Sequence, residues 1–139
     1  MKITTPRQAF HYFNHRLRAD VEEFWVAALS SEKEVLHSTC LFRGTVDGCL
    51  FHPRDVFRFA CLHNASSLIV AHNHPTGQPL PSRADTLVTR RLVAAAKIFQ
   101  VPVVDHLIIA KTGYFSFLEC GQIDEVFIDP VWQVDPLLD

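Results

Sequence analysis

An apolar run rich in β-branched residues, Ser67-Leu68-Ile69-Val70-Ala71, leads directly into His72-Asn73-His74 and, after seven intervening residues, into Ser82-Arg83-Ala84-Asp85. The run has the length and make-up of a buried strand, and a helical pattern begins at Ser82. This part of the chain is therefore committed to a strand, a loop and a helix in succession. Residues two apart on a strand or its extension point to the same side, so His72 and His74 can offer imidazole nitrogens to one point in space. Asp85 supplies a third, carboxylate group from the first turn of the helix. Two histidines and one carboxylate, with a fourth position left to water, is the usual way in which catalytic zinc is held.

Neither half of this pattern is informative alone. With 8 histidines in 139 residues a His-x-His pair arises readily by chance, and Ser-x-x-Asp is also a common helix start, in which a Ser N-cap is followed three places on by an acidic residue. The information lies in both halves occurring together at one fixed offset.

Elsewhere strand and helix patterns alternate. Thr5-Pro6, with Gln8 following, reads as an N-cap, a proline at the first helical position and a capping-box partner. The helix they open, with Phe10, Phe13 and Leu17 on one face, is expected to end near Asp20. Residues 22 to 29 and 34 to 46 read as two strands joined by the turn Ser30-Ser31-Glu32-Lys33. Pro53 opens a second helix with Val56, Phe57, Ala60 and Cys61 as its buried stripe and Asn64 as a left-handed stop. The helix from Ser82 to Phe99 turns Val88, Leu92, Ala95 and Phe99 inward and Arg90, Arg91 and Lys97 outward. Val103 to Ala110 and Tyr114 to Leu118 close the chain as strands around Lys111-Thr112-Gly113. Strands interleaved with helices in this way predict an α/β fold, a three-layer sandwich with a mixed β-sheet flanked by helices.

His72-x-His74-x7-Ser82-x-x-Asp85 matches the JAMM signature, and the chain resembles the JAB1/MPN metalloproteases, zinc isopeptidases that include deubiquitinases. Within that group it is most similar to a bacterial branch, the RadC-like (UPF0758) proteins. The likeness is carried by Val70-Ala71-His72-Asn73-His74-Pro75-Thr76-Gly77, by His52-Pro53-Arg54-Asp55-Val56-Phe57, by Asp105-His106-Leu107-Ile108-Ile109 and by Ser116-Phe117-Leu118-Glu119. It extends over roughly residues 20 to 120 and departs from that branch at Thr76, where Ser is usual, and at Ala110, where Gly is usual. The resemblance implies the same sandwich, JAB1/MPN-like and in outline similar to that of cytidine deaminases. It also implies one zinc ion per chain, held by His72, His74 and Asp85, and hydrolysis of an amide bond in a peptide or an isopeptide-linked protein.

Such a hydrolase needs a carboxylate that is not itself a ligand, to take a proton from the zinc-activated water and deliver it to the leaving amine. Glu22-Glu23-Phe24-Trp25-Val26 offers two, and strand alternation puts Glu22, Phe24 and Val26 on one face and Glu23, Trp25 and Ala27 on the other. One of them faces the site; the resemblance selects Glu22, leaving Glu23 expendable. Ser82 carries two roles, N-cap and, by the resemblance, donor to the oxyanion of the tetrahedral intermediate. Asn73 shapes the loop. The other histidines, His11, His15, His37, His52, His63 and His106, read as surface or capping residues, with His106 the one that could support the site from behind.

The domain reading is an N-terminal helix over 1–20, a JAB1/MPN domain over 21–120 and an extension over 121–139. The extension mixes Asp124, Glu125, Asp129, Asp135 and Asp139 with Ile123, Phe127, Trp132 and Leu137, too apolar for a solvated tail, and is expected to pack on the domain or on another copy. A formal net charge of −2 leaves no electrostatic footprint for direct nucleic-acid binding. The alternatives to a peptidase are a DNA-repair-associated protein, suggested by the RadC name, and a non-catalytic zinc-binding interaction module. A zinc deaminase is disfavoured, since no His-x-Glu with a downstream Pro-Cys-x-x-Cys is present. The start of the chain lacks an apolar signal region and no run approaches a membrane span, so a cytoplasmic protein without membrane contact is expected. Cys40, Cys49, Cys61 and Cys120 sit within apolar patterns and are expected as buried, reduced thiols.

Overall fold

The computed structural model describes residues 1–44, 52–75 and 77–123. Within them the chain forms, in order, α1 (Pro6–Asn14), β1 (Glu23–Leu29), β2 (Val35–Arg43), α2 (Pro53–Leu62), β3 (Ser67–Asn73), α3 (Arg83–Phe99), β4 (Val103–Ala110) and β5 (Gly113–Ser116). The strands make one mixed sheet ordered β2-β1-β3-β4-β5. β3 and β4 run parallel, connected through α3, and the other neighbours are antiparallel.

β3 lies at the centre of the sheet and is buried at every position, which is why its sequence is a continuous apolar run rather than an alternating one. Its residues nevertheless alternate in what they touch. Leu68 and Val70 join Phe24, Val26, Val56, Phe57 and Leu92 in a core beneath α2 and α3, whereas Ile69 and Ala71 join Phe13, Leu29, Leu107 and Ile109 beneath α1. Helices on both faces make the chain the expected three-layer α/β sandwich. Truncating a side chain as well enclosed as Leu68 or Leu92 should cost about 2–5 kcal/mol.

Local signals hold where caps set them. The Thr5 hydroxyl accepts from the Gln8 N–H at 3.2 Å, while the Gln8 side-chain oxygen Oε1 reaches one residue further back than a standard box and accepts from the Thr4 N–H at 2.8 Å. Asn64 stops α2 with φ +51. Long-range packing overrides other expectations. α1 ends at Asn14 rather than near Asp20, because Arg16 and Leu17 both donate their N–H groups to the Phe13 carbonyl and the chain then turns away. α2 buries Phe59 in place of Cys61. On α3, Asp85, Thr89, Leu92 and Ala96 are buried and Phe99 is half-exposed, stacked at 4.9 Å on Phe57. The expectation of buried thiols fails for Cys61 and Cys120, which are exposed; Cys40 is half-buried. Cys49 and residues 124–139 of the proposed extension lie outside the described residues, although Ile123 is buried against Ile108 and Phe117. Among the described residues no helix is long and apolar enough to cross a membrane.

Candidate metal centre

β3 delivers His72 and Asn73 as its last two residues, and pleating sends them to opposite faces. His74 follows, its N–H held by the Ile109 carbonyl at 2.8 Å, and its ring returns to the face of His72. The two rings lie 5.1 Å apart, nearly perpendicular. Asp85 arrives from the first turn of α3, whose N-cap is Ser82. The Ser82 hydroxyl accepts from the Asp85 N–H, and the Asp85 carboxylate accepts from the Ser82 N–H. The capping box and the acidic group of the site are thus the same residue.

Asp85 bridges the two imidazoles, with Oδ1 2.9 Å from His72 Nδ1 and Oδ2 3.1 Å from His74 Nε2. Oδ2 also accepts from the Ser82 N–H and hydroxyl, each at 2.8 Å. Burial alone would push this carboxyl up, but the bonds from His72, His74 and Ser82 outweigh it and hold the group well below the ordinary carboxylate range. His74 is raised above its usual value, chiefly by its bond to Asp85. The His74 Nδ1–H donates to the Gln78 carbonyl at 3.3 Å, which leaves Nε2 to face the group.

One ligand atom from each of His72, His74 and Asp85 falls within 4.8 Å of the others. In a tetrahedral zinc site with bonds of about 2.0–2.1 Å, donors lie about 3.4 Å apart, so small side-chain rotations suffice. A buried, deprotonated carboxylate, an imidazole with its second nitrogen anchored on a carbonyl, and a second imidazole together fit a zinc ion in donor type as well as in spacing.

These residues open into a cleft of about 340 Å³ that Glu22 and Ser82 also line. A somewhat larger cavity of about 370 Å³ lies under α1, between Ile3, Pro6, Lys33 and Val104. Its one carboxyl, Asp105, already accepts from His106 N–H, Ser116 hydroxyl and Leu118 N–H at 2.6–3.0 Å, so the convergent chemistry is in the smaller cleft.

The two glutamates part company as alternation requires. Glu22 sits in the cleft. Glu23 is 0% exposed on the opposite face; it is no expendable, solvated residue. Its carboxylate accepts from Arg18 N–H at 2.8 Å, Trp25 Nε1–H at 3.1 Å and Arg43 Nε–H at 2.7 Å. Burial works against the charge, but these donors win and keep the carboxyl below its ordinary range. The Glu23 N–H in turn donates to Asn73 Oδ1 at 2.6 Å, and Asn73 Nδ2 donates to the carbonyls of Arg18 and Val21 at 2.8 and 2.9 Å. Asn73, between the two histidines, therefore ties down the segment that carries Glu22. No local pattern announces this clamp, whose partners are up to 55 residues apart.

His106 is also not a surface residue. It is fully buried, with Nδ1 2.6 Å from the Thr89 hydroxyl. The Ser82 hydroxyl occupies its cap position and turns its proton toward Asp85.

The family profile described as RadC-like JAB domain matches residues 3–122. That range takes in α1 as well as the sheet, and is wider at the N-terminus than the resemblance read from the motifs. A UPF0758 protein of Symbiobacterium thermophilum is 40% identical over 120 residues, 86% of this chain and 51% of that protein. One from Thermotoga maritima is 42% identical over 122 residues, 88% of this chain and 55% of that protein. One from Staphylococcus carnosus is 36% identical over 126 residues, 90% and 56% of the respective chains. The chain spans about half the length of these relatives.

Proposed function

The chain belongs to the RadC-like JAB domain family, and from that premise we propose that it is a zinc-dependent amide hydrolase, acting as a metallopeptidase or isopeptidase. The observation that carries this reading is the convergence of His72, His74 and Asp85 with a non-ligand carboxylate, Glu22, around one open cleft. His72, His74 and Asp85 would hold the zinc ion, which would supply Lewis acidity and lower the pKa of a water towards about 7. Glu22 would accept a proton on a carboxylate oxygen from the attacking water as its oxygen bonds to the carbonyl carbon, and would return that proton to the amine nitrogen as the C–N bond breaks, so that a carboxylic acid and a neutral amine leave. Asn73 and Glu23 hold the backbone that places Glu22. Ser82, once its proton is freed from Asp85, donates its hydroxyl to the oxyanion that forms at the former carbonyl. A peptide or isopeptide-linked chain is the substrate class that this machinery suits.

The test is incubation of the protein with a broad library of peptides and isopeptide-linked pairs, with chelator, without it, and with zinc restored after chelation. Cleavage that the chelator stops and zinc restores is expected. Zinc binding without cleavage of any amide would leave the domain as a metal-binding interaction module, and cleavage indifferent to chelator would remove the metal from the mechanism.

A further inference from the structure

We infer that His106 is a positioning residue for the metal centre, acting on Asp85 through Thr89. The inference rests on the proposed zinc reading and adds to it a residue that touches none of the ligands' side chains.

Thr89 lies one turn after Asp85 on α3, and its hydroxyl donates to the Asp85 backbone carbonyl at 2.8 Å. A hydroxyl has one proton to give. The 2.6 Å contact between the same oxygen and His106 Nδ1 therefore has the imidazole as donor, which fixes the proton on Nδ1 and leaves Nε2 with a bare lone pair. That Nε2 is buried and has no hydrogen-bond partner among the described residues. Phe117 stacks on the ring at 4.9 Å and Phe24 meets it edge-on at 5.8 Å, and burial pushes its pKa down to about 3, so the ring is neutral. A leucine or phenylalanine would fill this aromatic box without leaving a ring nitrogen unsatisfied, and an unsatisfied buried polar atom calls for an explanation. Among the described residues, the one hydrogen bond that the His106 ring makes leads, through Thr89, to the backbone of Asp85.

The placement gives that contact leverage. His106 is on β4, paired with Val70 of β3, the strand that ends in His72. Phe24, which bounds the His106 ring, also lies 6.3 Å from the ring of His72. The line His106, Thr89, Asp85 carbonyl thus pins the first turn of α3 to the strand layer that carries the histidines, and sets how far the Asp85 carboxylate stands from them. Groups that orient ligands in this way typically alter metal affinity by about 10- to 100-fold when removed.

The test uses the full chain loaded with Co²⁺ and Zn²⁺, reading affinity by chelator competition, the visible Co²⁺ spectrum, and thermal stability. His106→Phe keeps the stacking and removes the donor. His106→Asn restores an N–H near the Nδ1 position. Thr89→Val removes the link. Expected are a loss of affinity of about 10- to 100-fold and a shifted Co²⁺ spectrum for His106→Phe and Thr89→Val, no further loss in the double variant, and recovery in His106→Asn. Wild-type affinity and spectrum in a folded His106→Phe would overturn the inference; should that variant not fold, Thr89→Val decides in its place. His74→Ala separates the two readings. If it binds metal like the wild type, or the wild type binds none, the zinc reading itself fails; if it loses metal while the His106 and Thr89 variants do not, only this inference fails.

Discussion

Where the chain enters β1, the adjacent carboxylates of Glu22 and Glu23 stand in opposite circumstances. On one side Glu22 shares an open cleft with His72, His74 and Asp85, whose ligand atoms lie close enough together to hold a metal ion. On the other, Glu23 is sealed in by three donors from Arg18, Trp25 and Arg43. Glu23 is the more buried of the two, yet the proposed chemistry rests on Glu22, which lines the cleft. A carboxylate whose lone pairs are saturated by fixed protein donors is a structural clamp, whereas the one that lines the cleft is where the proposed proton transfer is placed.

The sharpest way to break this contrast is to remove the two charges one at a time. Glu22→Gln should lower amide hydrolysis by about 10²- to 10⁴-fold, with stability within about 0.5 kcal/mol of wild type and metal retained. Glu23→Ala should do the reverse first: a stability loss of about 2–3 kcal/mol, since it empties a fully buried position and removes the shared acceptor of the partly buried Arg18 N–H and Trp25 indole N–H. The loss stays at that level because the Arg43 side chain is 53% exposed and can return to water. Chemical denaturation beside rate measurements distinguishes the two. If Glu23→Ala spares stability and abolishes turnover, the assignment of the two faces is wrong.

Ser82→Ala gives a smaller and mixed effect, as expected of a residue that belongs to both kinds of region. Loss of the cap should cost about 1 kcal/mol, and loss of the hydroxyl donor up to about 10²- to 10³-fold in rate. A stability change without a rate change would restrict Ser82 to the capping box.

A contrast that shows only below neutral pH sets two buried neighbours on β4 against each other. His106 has a folded pKa of about 3, below its unfolded value, so unfolding takes up a proton and stability falls as pH drops from about 6.5 towards 3. Asp105, pushed up to about 6 by burial, is protonated earlier in the folded state than in the unfolded one, so its contribution rises as pH drops from about 6 to 4. The two nearly cancel in wild type between those limits. In His106→Asn the cancelling partner is gone, and the stability difference from wild type should change by up to about 1.4 kcal/mol per pH unit below 6.5. A difference independent of pH would mean that His106 titrates normally and is not sealed in as described.

What could be read from the sequence was what local spacing determines. His72, His74, Ser82 and Asp85 lie within 14 consecutive residues, and their grouping follows from strand pleat and helix cap alone. Thr5, Asn64 and the central burial of β3 were legible for the same reason. Alternation separated Glu22 from Glu23 but said nothing of what Glu23 does, because Arg43 and Asn73 reach it from 20 and 50 residues away. The same holds for His106, whose partner Thr89 lies on another element. Cys61 and Phe99 were misplaced because a helical stripe about 100° wide leaves its edge residues undecided; packing of α2 against α3 chose Phe59 and Ala96 instead.

On the proposed reading, His72, His74 and Asp85 hold one zinc ion while the neighbouring carboxylates serve other ends. Metal content after equilibrium dialysis against zinc tests it directly, on the wild type, Glu22→Gln, Glu23→Gln and His74→Ala. About one zinc per chain is expected in the first three and background in the last. Zinc absent from the wild type, or retained in full by His74→Ala, would contradict the account.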